Sequence, residues 1–348
     1  MKNKIRIAMA GVGNCASNLV QGIEYYKKNV NSSAGLLYRF AGGYDVTDIE
    51  VVAAFDIANN KVGKDLSEAI KAKPNCTRNV AEVPETGVIV QKGPVLDGWG
   101  PHMEKAVKVS GAPECDAGAV LDLSRPDIMV IALPTGSKEA CYYYIGQALK
   151  RGISVVNGIP VLASHDETVA RLAVKNKCAI IGDDFKSQIG GTVLHNALLR
   201  LLDARGIKIN GSHHVNYAGN ADFLNLYTRG EEKHKSKARG IKAGVSQDVD
   251  LSVNITYLEN QGDNKTCRVW IEGENFSGCP VTVESKLTVV DSANASGVLV
   301  DAARCLMVAK RKGIYGRLEA VSAYFCKSPY KQIPEDEARK AVVKFLNG

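Results

Sequence analysis

The run Ile5-Arg6-Ile7-Ala8-Met9-Ala10 ends in Gly11-Val12-Gly13-Asn14-Cys15-Ala16-Ser17 and passes into the apolar helical positions Leu19, Val20 and Ile23. A short strand, a glycine turn and a helix in that order restrict the fold more than anything else in the chain. Glycines at such a turn let the backbone approach a pyrophosphate, whose charge then lies against the helix N-terminus. Ala16 stands where the third glycine of GxGxxG usually stands, and a small residue is permitted there. By itself the motif is also that of any tight strand-to-helix turn. A second strand, Glu50 to Phe55, ends at Asp56, where dinucleotide-binding sheets place the acid that meets the adenosine ribose. The spacing exceeds the customary ~20 residues, so the Gly-, Ser- and Tyr-rich stretch from Asn29 to Asp45 reads as an inserted loop. No arginine adjoins Asp56, which favours NAD over NADP.

Further strands are expected at Ile128–Leu133, Ser154–Asn157 and Ala179–Ile181, with helical segments around Ala140–Leu149 and Glu167–Lys175. Strands alternating with helices indicate a parallel sheet with right-handed crossovers. In such sheets ligands bind outside the carboxyl ends of the strands. The turns Pro134-Thr135-Gly136-Ser137, Asn157-Gly158-Ile159-Pro160 and Gly182-Asp183-Asp184 should therefore line one crevice. After a helix from Thr192 to Ala204 the pattern changes. Val253–Leu258, Thr266–Ile271 and Val281–Val289 alternate with period two, as in antiparallel strands covered on one face, with Asp263-Asn264 as a turn signal between the first two. His213-His214-Val215 reads as a short strand. The chain becomes helical again from Asn294 to Ala309 and around Asp336–Leu346. The expected class is α/β, a Rossmann-type parallel sheet domain with an inserted α+β domain. Its parts are 1–199, the NAD-binding domain; 200–292, the α+β domain; and 293–348, helices returning to the first domain.

The chain of 348 residues is long for one domain and carries a formal charge of +7. That charge suits anionic partners, small phosphates included. With 6% aromatic residues and no dominant basic tract, nucleic acid is not expected. Nine scattered cysteines, none in a CxxC pair, suit reduced thiols rather than a zinc ribbon or disulfide framework. No signal-peptide profile or membrane-length apolar run is seen, so a cytoplasmic protein without membrane contact is expected.

Four groupings could carry chemistry. Gly182-Asp183-Asp184-Phe185-Lys186-Ser187 sets two carboxylates and a lysine at a strand end; the plain alternative is an aspartate capping the next helix. Asn216–Phe223 presents amides, a small-residue turn and Asp222. Lys233-His234-Lys235-Ser236-Lys237-Ala238-Arg239 is a dense basic run, the usual form of a solvated face. Lys327 sits among apolar neighbours, where an ammonium has a lowered pKa, unless it snorkels from the core edge. His213 and His214 point to opposite faces of a strand and make no metal pair; no metal site is expected.

Taken with Ala53-Ala54-Phe55-Asp56, Val90-Gln91-Lys92-Gly93-Pro94, Leu133–Ser137, Gly219–Asn225, Asp291-Ser292, Asn294, Gly297, Ser322–Tyr324 and Lys327-Ser328-Pro329, these motifs make the whole chain resemble the bacterial branch of the myo-inositol-1-phosphate synthases. The resemblance implies conversion of D-glucose 6-phosphate to 1D-myo-inositol 3-phosphate with NAD and no net oxidation, in a homotetramer. It also implies a monovalent or divalent cation beside the phosphates. By motif it assigns Lys186 and Lys327 to oxyanion or phosphate binding, Lys237 to proton transfer, and Asp222, Asp250 and Asp184 to the active site. Lys235 and Lys242 are substitutes for Lys237, because Arg229–Val245 departs from the family pattern. Cofactor contacts are implied for Gly11, Val12, Gly13, Asn14, Cys15, Ala16, Asp56, Pro134, Thr135, Gly136, Asp183, Asp291 and Ser292. Eukaryotic members carry a second lysine cluster after Thr192; here His195 and Arg200 occupy that helix. An NAD-dependent sugar-phosphate dehydrogenase and a non-catalytic NAD sensor are the competing readings on the same fold.

Overall fold

The computed structural model describes residues 4–229, 241 and 246–347. In chain order its elements are β1 (Ile5–Ala10), α1 (Asn14–Lys28), β2 (Phe40–Ala41), β3 (Tyr44–Asp45), β4 (Ile49–Asp56), α2 (Leu66–Ala69), β5 (Gln91–Lys92), α3 (Ala117–Ser124), β6 (Ile128–Ile131), α4 (Lys138–Leu149), β7 (Ser154–Asn157), α5 (Glu167–Lys175), β8 (Ala179–Ile181) and α6 (Gly191–Ala204). There follow β9 (Lys208–Ala218), α7 (Ala221–Arg229), β10 (Asp250–Tyr257), β11 (Asn264–Glu274), β12 (Pro280–Val290), α8 (Asp291–Lys312), β13 (Gly316–Arg317), α9 (Glu319–Phe325) and α10 (Glu335–Asn347).

A seven-stranded sheet runs in the order β13-β8-β7-β6-β1-β4-β5, with every pair parallel. Period-two patterning divides its faces. Ile5, Ile7 and Met9 of β1 share one apolar cluster with α1 and α8, while Ala8 and Ala10 join the cluster of α3, α4 and α5. Helix α1 follows the same logic at period 3.6, burying Ala16, Leu19, Val20 and Ile23. The strand order reverses between β4-β1 and β6-β7, and such a switch point opens a crevice at the strands' carboxyl ends.

The second sheet has the order β10-β9-β11-β12. Here two expectations are corrected. β10 pairs β9 in parallel, not antiparallel, because α7 and the residues after it give the chain room for a crossover. β10 and β11 are therefore not neighbours, and the Asp263-Asn264 turn carries the chain past β9. The strand read as His213–Val215 spans eleven residues, since its inward positions Ser212, His214 and Asn216 are buried polar groups and hide the alternation. Motif Asn220–Asp222 proves to be a helix start: Asn220 Oδ1 accepts from Phe223 N at 3.0 Å, capping α7. The stretch Asn29–Asp45 is mostly irregular, with the small β2-β3 ladder at its end. No helix among the described residues is long and apolar enough to cross a membrane.

Two buried polar groupings tie these layers together. Asp301 and Arg304 of α8, each 0% exposed, form an ion pair; Asp301 Oδ2 accepts from Leu37 N at 2.9 Å and Arg304 Nη1 donates to Arg39 O at 2.9 Å. Removing one partner strands the other charge. Asp301→Ala should cost about 3–5 kcal/mol of unfolding free energy in urea titration. At the end of β8, Asp183 is fully buried and accepts from Asn157 Nδ2 at 2.7 Å, Ser164 N at 3.0 Å and Ser164 Oγ at 2.7 Å. Burial nevertheless outweighs these bonds and pushes its carboxyl up to about 7. The native chain then keeps a proton that the unfolded chain has lost, so stability falls as pH rises from the ordinary 3.8 to about 7 and is level above that. Urea unfolding across this window should show a slope of up to about 1.4 kcal/mol per pH unit that Asp183→Asn removes.

Candidate active site

The glycine turn occupies the switch point. Gly11 adopts φ +97 and donates to Phe55 O at 2.9 Å; a Cβ there would lie 2.4 Å from Ala132 O, so only glycine lets β1 leave its neighbour β6 so closely. Gly13 is different, because a Cβ there would meet nothing within 4 Å. It borders a cavity of about 280 Å³ and precedes the N-terminus of α1, which has no side-chain cap and no acid in its first turn. The N–H end of the helix and open space beside a bare backbone suit an anionic phosphate. At the end of β4, Asp56 Oδ2 accepts from Val12 N at 2.9 Å, and its Oδ1 accepts from Ile57 N at 2.8 Å and Ala58 N at 2.9 Å.

Of the residues singled out by sequence, Gly11, Gly13, Asn14, Cys15, Asp56, Pro134, Thr135, Asp184, Asp222, Asp291, Ser292 and Lys327 line this cavity. Thr135 Oγ1 donates to Asp222 Oδ1 at 3.1 Å, joining the β6 turn to α7. Val12, Ala16 and Gly136 lie outside the lining; Val12 and Ala16 are wholly buried, and Val12 acts through its backbone groups. Asp183 is outside it too, held beneath by Asn157 and Ser164. Asp250 begins an edge strand, exposed and away from the cavity. Lys237, with Lys235 and Lys242, lies outside the described residues.

The stretch after β8 is zipped to the one after α9. Ser328 N donates to Asp183 O at 3.0 Å, Lys327 N to Asp184 O at 2.7 Å and Lys186 N to Phe325 O at 2.8 Å. Asp184 takes φ +61, a conformation that aspartate tolerates, and its buried Oδ1 accepts from Lys327 Nζ at 2.8 Å. Neither aspartate caps α6, whose N-cap is Gly190 with no side-chain bond; the capping alternative is thereby corrected. Lys186 turns away from the main cavity into a smaller one of about 80 Å³, where Nζ donates to Ala323 O at 2.9 Å and to Glu335 Oε2 at 2.7 Å. Lys327 lines both cavities, and Thr192, Asn196 and Arg200 of α6 complete the smaller one on its far side. His195 faces the opposite way, its Nδ1 3.1 Å from Nδ1 of buried His214, and burial lowers its pKa to about 4.

Sequence reading missed several groups. Lys61, 3% exposed, donates to Val12 O at 2.8 Å and Asn75 Oδ1 at 2.9 Å and stands 3.8 Å from Asp56. A cation therefore does adjoin Asp56, although it is not an arginine. Desolvation lowers the Lys61 pKa against the opposing pull of Asp56. Asp263, read only as a turn, is buried and accepts from Asn14 Nδ2 at 3.2 Å, Asn220 Nδ2 at 3.0 Å and Ser292 Oγ; burial raises its carboxyl. Lys265 pairs with Asp291 at 2.6 Å. The one available signal was proximity to motifs already recognised. Among the described residues no group of three His, Cys, Asp or Glu side chains is arranged to hold a metal ion.

A sequence model of the family described as myo-inositol-1-phosphate synthase matches residues 190–292. The inositol-3-phosphate synthase of Mycolicibacterium smegmatis is 40% identical over 360 residues, covering 99% of this chain and 98% of that protein. That of Corynebacterium glutamicum is 39% identical over 355 residues, covering 98% of each. The crystal structure of Ari2 shares the fold with a TM-score of 0.81 and 31% identity over 98% of both chains. With full-length identity at this level and the family's site motifs around one cavity, the chain belongs to the myo-inositol-1-phosphate synthase family.

Proposed function

We propose that the chain converts D-glucose 6-phosphate to 1D-myo-inositol 3-phosphate, with NAD held along the main cavity and the sugar phosphate reaching the smaller one. The observation that carries this reading is the buried Lys327–Asp184 pair standing between the two spaces. The bare turn at Gly13 and the uncapped start of α1 fit a pyrophosphate, and Asp56 fits the adenosine ribose. When bound, NAD would take a hydride from C5 of the open-chain sugar and return it after ring closure, leaving no net oxidation.

The chain's own residues meet the remaining demands. A ketone at C5 acidifies the hydrogens on C6, and the oxyanion that develops on enolisation needs a fixed donor. Lys327, 8% exposed, is such a donor, oriented by Asp184. Water exclusion around it also protects the enolate until it attacks the C1 aldehyde. Lys186 and Arg200 suit the phosphate. Lys237 is proposed for proton transfer, with Lys235 and Lys242 as substitutes. In the same reading, 1–199 serves as the NAD domain, 200–292 as the catalytic and oligomerisation domain and 293–348 as the returning helices. A homotetramer, a cation near the phosphates and a cytoplasmic setting belong to this proposal.

Purified protein given NAD and glucose 6-phosphate should form inositol phosphate with no accumulating NADH. NADH rising without inositol phosphate would indicate the dehydrogenase reading, and no turnover the sensor. Lys327→Ala should lower kcat by about 10²–10³-fold, with NAD affinity by fluorescence titration unchanged. Retained turnover would remove Lys327 from the site.

A further inference from the structure

Each of the three cations in the smaller cavity already holds a carboxylate. Lys327 is on Asp184 at 2.8 Å, Lys186 on Glu335 at 2.7 Å and Arg200 on Asp336 at 2.9 Å. The carboxylates are mounted differently. Asp184 is 0% exposed, and its backbone N–H and C=O are both bonded, to Ile159 O and Lys327 N. Glu335 and Asp336 are the first two residues of α10, with side chains 34% and 55% exposed. Ala338, Val342 and Leu346 seat the rest of α10 in the core, and Lys312 Nζ donates to Phe345 O at 2.9 Å near its end. With Ala338 anchored where the first turn ends, Glu335 and Asp336 hold the cavity's cations from partly exposed positions at the helix start.

We propose that this first turn is an internal anion competing with the sugar phosphate. Glu335 and Asp336 occupy Lys186 and Arg200 until a phosphate displaces them, and so they set the apparent affinity for phosphorylated sugar. The inference rests on the proposed reading in which the smaller cavity takes the phosphate. A phosphate oxyanion is a stronger partner for lysine and arginine than a half-exposed carboxylate, which regains water on leaving. The apparent affinity falls by the fraction of molecules whose first turn is still seated. A sugar without phosphate cannot displace the turn, so the device also selects for the phosphorylated substrate.

In the full-length protein with NAD, combining Glu335→Gln and Asp336→Asn should lower the KM for glucose 6-phosphate by about two- to tenfold, the range for releasing two partly exposed ion pairs. Competitive inhibition by inorganic phosphate should tighten by the same factor, while the KM for NAD stays constant. A KM for glucose 6-phosphate that is unchanged or higher overturns the proposal. Wild-type protein supplies a second test that needs no variant. Ala338 N donates to Pro334 O at 2.9 Å, closing the first turn. Hydrogen exchange at this amide should quicken on adding inorganic phosphate, and exchange that is unchanged or slower overturns the competition. Absence of inositol phosphate formation by the wild type would sink the underlying reading, and the exchange experiment would still decide the competition.

Discussion

The ion pair between Lys327 and Asp184 depends on a backbone arrangement that also positions everything around it. Removing two charges from water costs several kcal/mol per ion, so a pair this deep persists only where geometry is imposed on it. The imposition comes from the ladder between residues 183–186 and 325–328, two segments remote in sequence. The left-handed backbone at Asp184, φ +61, breaks the extended path there, and with the ladder it sends Asp184 to the main cavity and Asp183 beneath it. Lys186, two residues on, turns to the smaller cavity. Three charged residues in one short stretch therefore acquire three different surroundings.

Electrostatics then separates the two spaces. In the main cavity the start of α1 offers N–H donors, while the carboxylates Asp56 and Asp291 each face a lysine. Asp263 stands apart, drawing bonds from α1, from the cap of α7 and from the start of α8. It links the glycine turn to both elements that carry the second sheet's contribution. The smaller cavity is rich in cations, and its balancing anions come from Asp184 and from the last helix. The overall charge of +7 is consistent with anionic ligands but does not say where they sit.

Much of the fold was readable because its signals are local. The glycine turn, the five apolar runs of the parallel sheet and the helices between them show their periodicity within a dozen residues each. Where the signal failed, polar side chains occupied inward positions, as with Ser212, His214 and Asn216 of β9, or a long crossover concealed the partner of β10. The site was readable in part. Asp184, Asp222, Asp291 and Lys327 do converge. Lys61, Asp263 and Lys265 were invisible because their residue types are ordinary at a surface or turn, and only burial gives them meaning.

The sequence by itself determined the α/β class, the switch-point turn at Gly11–Gly13, the membership of the family and the short list of charged residues available for chemistry. These follow from patterns of neighbouring residues, and from an order of motifs along the whole length. Only the tertiary structure decided that Asp183 supports while Asp184 faces the cavity, that Lys186 and Lys327 serve different spaces, and that α10 brings Glu335 and Asp336 onto the same cations as the proposed substrate. The physical reason is range. Propensity and periodicity act over a few residues, whereas burial and charge pairing join positions such as 184 with 327 and 186 with 335, which are close only once the chain has folded.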